Sequence, residues 1–140
     1  MDRESYYMDY PILLNHMWKL GQNYTLCLRK KGMKVVSVWE AGFRNLSNNR
    51  KSVNAIEDVK GLKIRVPESD LYINTWKALG TNPTPIAWNE FFSAMQLGVV
   101  DGCEVPLTNF ATLGFGEVQK YYAWINYMYG PIAFVKSLDF

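Results

Sequence analysis

Between Leu62 and Val66 the chain alternates strictly: Leu62, Ile64 and Val66 are apolar, Lys63 and Arg65 charged. A period of two sends alternate side chains to opposite faces, so this run predicts a strand with one apolar face, stopped by Pro67. Met33-Lys-Val-Val-Ser-Val-Trp39 is β-branched and apolar and predicts another strand. Helical spacing governs the stretch before it. Leu14, Met17, Tyr24 and Leu28 recur at that spacing after Asp9 and Pro11, and Gly32 closes the run. Ala41 to Arg50 is rich in turn formers and predicts irregular chain or a weak strand, and Asp58 to Gly61 predicts a turn.

Further along, Ser69 or Asp70 can cap a helix reaching about Leu79, with Gly80 behind it. Pro83 and Pro85 stiffen a short extended segment, Thr84 to Ile86. Asn89 can cap a helix from Glu90 to Leu97, with Phe91, Ala94 and Met95 on one face and Gly98 at its end. Val99 and Val100 start a strand, and Pro106 opens a helix extending to about Lys120. Tyr121 to Lys136, aromatic and β-branched, predicts one or two strands. Strands alternating with helices imply an α/β fold with a mostly parallel sheet flanked by helices. Ligands of such sheets sit beyond the carboxyl ends of the strands. Arg65 lies at that end of its strand, opposite the apolar face, and is the first candidate anchor.

Composition narrows the function. The 140 residues fit one domain, and 49% hydrophobic content allows a sizeable core. The net charge is +2, and the longest basic run, Arg29-Lys30-Lys31, suits a helix C-terminus. Nucleic-acid binding is not expected without a broader basic stripe. Cys27 and Cys103 lie far apart with no C-x-x-C spacing, and His16 stands alone, so no metal site and no cofactor are expected. Asp101, Cys103 and Glu104 cluster, but without a histidine partner, a phosphate loop or a nucleophile elbow, so no enzyme is expected. No run is apolar enough to span a membrane, and Met1-Asp-Arg-Glu-Ser does not read as a signal peptide.

Several motifs in register carry a resemblance. Asp58-Val-Lys-Gly-Leu-Lys-Ile-Arg-Val-Pro67, Lys77-Ala-Leu-Gly-Thr-Asn-Pro-Thr-Pro-Ile86, Trp88-Asn-Glu-Phe-Phe92 and Ala94-Met-Gln-Leu-Gly-Val-Val-Asp-Gly102 follow one another, and Gly116-Glu-Val-Gln-Lys-Tyr121 follows these. Upstream stands Trp39-Glu-Ala-Gly-Phe-Arg-Asn-Leu-Ser-Asn48. Together they resemble the DctP-like solute-binding subunits of tripartite ATP-independent periplasmic (TRAP) transporters. The resemblance implies a type II periplasmic-binding-protein-like lobe, incomplete relative to the two-lobed family clamp. It divides the chain into 1–49 (first lobe and hinge), 50–125 (second lobe) and 126–140 (return hinge strand). It implies a small organic acid as ligand, TRAP permease subunits as partners and an extracytoplasmic location. Arg65 becomes the main carboxylate partner, since a guanidinium offers a planar fork of donors that lysine lacks. Arg44 maps to a second contact, Trp88 to a pocket wall, and Glu104 to a carboxylate that orients an arginine.

Two positions depart from the family pattern. Val105 replaces an asparagine that bonds the ligand carboxylate, and Tyr127 stands where a histidine is common. The pocket is therefore expected to be larger, more apolar, or degenerate. The short length suggests a truncated receptor whose exposed surfaces form a homo-oligomer. The competing expectation is a remnant that binds no solute and serves only as a self-associating module.

Overall fold

The computed structural model describes Lys19 and residues 25–139. Most of the helix expected after Pro11 lies outside these residues. Its last part is helical at 25–29, and Gly32 takes φ +73° before the first strand. The elements that follow are β1 (Met33–Asn48), a 3-10 turn (Ile56–Val59), β2 (Lys63–Val66), α1 (Asp70–Ala78), β3 (Asn82–Pro85), α2 (Phe91–Gln96), β4 (Gly102–Pro106), α3 (Leu107–Thr112), a second 3-10 turn (Phe115–Glu117) and β5 (Tyr121–Ser137).

The strands form one sheet in the order β3-β2-β4-β1-β5. β2 runs parallel to β3 and to β4, whereas β1 joins β4 antiparallel, with Arg44 opposite Pro106 and Asn48 opposite Gly102. The sheet is thus mixed, because β1 arrives from outside the strand–helix alternation that makes its neighbours parallel. Pro83 and Pro85 are tolerated in β3 because it is an edge strand with one side free of partners. The segment Ala41–Asn48, expected to be irregular or a weak strand, is the second half of β1, paired with β4 from Arg44 to Asn48. The helix expected from Pro106 to Lys120 ends at Thr112, where Leu113 and the left-handed Gly114 (φ +69°) break it into a 3-10 turn.

The chain divides into two compact units at Glu40/Ala41 and Gly130/Pro131, inside the two long strands. In the unit Ala41–Gly130 both faces of the sheet are covered. One face buries Leu46, Ile64, Val66 and Ala123 against Trp76 of α1, with Val59 and Leu62 beside them. The other buries Cys103 and Val105 against Phe91 and Met95 of α2, Val100 and Phe115. Fully burying one such side chain contributes about 1.5–3 kcal/mol, so these two layers dominate the stability of the unit. The other unit carries the ends of the long strands. There Val36, Val38, Ile132, Phe134 and Val135 are exposed, and Trp39 and Phe134 hold their ring centroids 4.8 Å apart.

Candidate functional site

Alternation along β2 sends Ile64 and Val66 into the α1 layer and Arg65 to the opposite side, as the sequence predicts. That opposite side is not solvent. Phe91 of α2 covers it, and Arg65 is only 2% exposed. Its register partners are Thr84 on β3 and Cys103 on β4. The backbone leaves β3 just after Pro85, which brings the Ile86 carbonyl under the guanidinium. Arg65 Nε and Nη2 donate to this one oxygen at 2.9 and 2.6 Å. Its Cζ lies 4.3 Å from the Phe91 ring centroid and 5.7 Å from that of Trp88. Arg65 Nη1 is buried and has no hydrogen-bond partner among the described residues. Burial pulls the guanidinium below its usual basicity, and the charge of Glu104 partly opposes this. A buried cation with an unsatisfied donor and no ion pair is an unfavourable arrangement unless an anion completes it.

Arg44, Glu104 and Tyr127 form a separate cluster on the α1 side of the sheet. Glu104 is fully buried, and Arg44 grips it with a fork: Nε to Oε2 at 2.5 Å and Nη2 to Oε1 at 2.7 Å. Nη2 also donates to the Glu104 backbone carbonyl at 2.9 Å, and the Tyr127 hydroxyl donates to Oε2. The Arg44 guanidinium stacks 5.1 Å from the Tyr72 ring centroid. Burial works against the Arg44 charge, but the hydrogen bonds and charge of Glu104 outweigh it and raise its pKa. Burial and then the Glu104 carboxylate push the Tyr127 phenol above its ordinary range. Here one carboxylate accepts from both an arginine and a tyrosine.

The predicted residues are therefore distributed over both faces. Arg65, Trp88 and Val105 belong to the α2 side, and Arg44, Glu104 and Tyr127 to the other. Trp88 is 53% exposed and packs its ring 5.5 Å from that of Phe91. Val105 is fully buried in the apolar layer with Cys103 and Phe115. Tyr127 also lines a cleft of about 360 Å³ with Val53, Ile56, Trp76, Leu79 and Ile125. Sequence reasoning missed two groups that position Arg65. The Ile86 carbonyl is backbone and leaves no sequence signal. Phe91 was visible only as a helix-face residue. Among the described residues, no group of three or more His, Cys, Asp or Glu side chains could hold a metal ion.

The unit is thus an α/β sheet covered on both faces, with a buried arginine at the carboxyl end of a parallel strand. Comparison with known proteins identifies its kind. Residues 15–140 match the family model DctP, described as bacterial extracellular solute-binding protein, family 7. The chain is 34% identical over 117 residues to a 2,3-diketo-L-gulonate-binding periplasmic protein of Escherichia coli, covering 84% of this chain and 36% of that one. A sugar acid binding protein of Advenella mimigardefordensis, solved with galactonate, superposes with TM-score 0.81 at 35% identity, covering 85% of this chain and 38% of that one. A TRAP periplasmic solute binding protein of a Sulfitobacter species, solved with β-D-galacturonate, gives TM-score 0.84 at 30% identity, covering 90% and 44%. The chain belongs to the DctP family of solute-binding proteins, which bind solutes and do not transform them. It spans about 40% of the length of the relatives it matches.

Proposed function

We propose that this chain is the anion-holding part of a periplasmic receptor that captures a small carboxylate for a TRAP-type permease. The observation that carries the reading is the state of Arg65: a buried cation, fixed on one side by the Ile86 carbonyl, with Nη1 left unpartnered. A carboxylate docked at Nη1 supplies both the missing acceptor and the missing charge. A hydrogen bond between charged groups of this kind contributes about 1.5–3 kcal/mol. The Arg44–Glu104–Tyr127 cluster sits on the other face of the same strands. In this reading it holds β1, β4 and β5 in register around the site, and Trp88 forms an apolar wall. The organic acids bound by relatives support the ligand class, and the periplasmic relatives support the location and the permease partner. Neither the fold nor the relatives favour a self-associating remnant.

The test is a thermal-shift series with mono- and dicarboxylates on the wild-type chain and on Arg65→Ala. At free ligand 100 times the dissociation constant, binding stabilises the folded state by about 2.7 kcal/mol. The wild type should show that upward shift and Arg65→Ala should not. An equal shift in both proteins removes Arg65 from the site.

A further inference from the structure

The charges around Arg65 bear on which acids the site takes, an inference that rests on the receptor reading above. From Ala78 to Gln119 the chain carries no Lys, Arg or His, while Glu90, Asp101, Glu104 and Glu117 supply negative charge. This stretch builds the surroundings of the guanidinium. β3 and β4 flank β2, Phe91 of α2 covers the guanidinium, and Phe110 of α3 packs against the same apolar layer. Arg44 brings a second cation to the sheet, but on the opposite face and with its fork closed on Glu104. That pair is neutral, and Arg65 adds one positive charge. Beyond the end of β2, next to Pro67, Glu68 stands exposed, and its charge, like that of Glu104, reaches the guanidinium. The hydroxyls on the Arg65 face, those of Thr84 on β3 and the unpartnered Tyr122 on β5, can bond a ligand oxygen but bring no charge. Burial holds the Tyr122 phenol above its ordinary range, which keeps it neutral.

We infer that this lobe selects acids with a single negative charge over dicarboxylates of similar size. One carboxylate at Nη1 brings the set Arg44, Glu104 and Arg65 to neutrality. A second would leave water with no cation to receive it and would meet the fields of Glu104 and Glu68 instead. Hydroxyl donors soften that loss without replacing the missing charge, because an ion taken from water needs both hydrogen bonds and a counter-charge. Hydroxyl groups on the ligand carry no such penalty, so plain and hydroxylated monocarboxylates both satisfy this rule. Glu68 is then a specificity-determining residue, since its repulsion acts more strongly on a dianion than on a monoanion.

Calorimetric titration of the whole chain with succinate, butyrate and monomethyl succinate decides the matter. The two monoanions bracket succinate in size, so a size effect would not favour both. Each is expected to bind at least about tenfold more tightly than succinate. Glu68→Gln is expected to narrow that gap severalfold by strengthening succinate more than the monoanions; Glu68 is exposed, so the variant should fold. Succinate binding as tightly as either monoanion, or tighter, overturns the selectivity while leaving the carboxylate receptor intact. An unchanged gap in Glu68→Gln overturns the role of Glu68. Failure of all three acids to bind overturns the receptor reading and the selectivity with it.

Discussion

Arg65 and Glu104 are both buried ionisable groups, yet their situations differ. Glu104 accepts from two side chains and carries a forked partner, so its burial is compensated. Arg65 has a carbonyl, two rings and an unpaired nitrogen. An ion pair satisfied within the chain needs nothing further, whereas a half-satisfied buried cation is the kind of group the proposed function assigns to a ligand. Between them on the sheet, Cys103 shows how dry this region is. Burial pushes its thiol up to about 12. An unfolded thiol titrates near 8.5, so the folded state holds its proton more strongly. Stability linked to this group is therefore complete below about pH 8.5 and is lost as pH climbs toward 12. Urea midpoints should stay level to about pH 8 and then fall, and Cys103→Ala should flatten the first part of that fall. A midpoint insensitive to pH between 8 and 11 contradicts the account.

Among the strands and helices, the junction of β1 and β4 is the tightest. Gly102 lies so close to β1 that an added Cβ would stand 2.0 Å from the Ser47 carbonyl oxygen. Gly98, with φ +67° and open space around it, presents backbone strain alone. Gly102→Ala should therefore destabilise the fold by about 3 kcal/mol or more through overpacking. Gly98→Ala should cost about 1–2 kcal/mol. Denaturant melts of the two variants check the order, and a larger loss for Gly98→Ala contradicts the packing described. This junction also marks what the sequence could disclose. The period of two in β2 and the shared face of Phe91, Ala94 and Met95 in α2 are local signals, so those elements were legible, although α2 is preceded by Glu90 rather than the expected Asn89 cap and neither α1 nor α2 has a side-chain cap hydrogen bond. The second half of β1 was not, because Asn45, Ser47 and Asn48 are poor strand formers held extended by their pairing with β4. For the site, the motif around Arg65 was legible as a resemblance. The burial of Val105, the Ile86 carbonyl beneath the guanidinium and the division of the predicted residues between two faces depend on tertiary packing, which no local pattern records.

Taken as a molecule, the chain has cohesion distributed unevenly. The unit Ala41–Gly130 holds both apolar layers, while in the other unit the strand residues from Pro131 to Ser137 are exposed. Backbone amides in β2 and β4 should exchange with solvent more slowly by several orders of magnitude than those of 33–40 and 131–137. Hydrogen-exchange mass spectrometry reads this directly, and uniform protection along β1 and β5 contradicts it. Phe91 of the α2 layer and the Ile86 carbonyl hold the Arg65 guanidinium in place, which under the proposed function reduces the ordering cost of binding.

The central claim is that the Arg65 Nη1 group meets the carboxylate. Nuclear magnetic resonance of arginine-labelled protein, titrated with a bound acid, observes that group itself. The account predicts a saturable shift of the Arg65 guanidinium signal, with that of Arg44 nearly unmoved because Glu104 already occupies its fork. Saturable binding that leaves the Arg65 signal where it was would contradict the account.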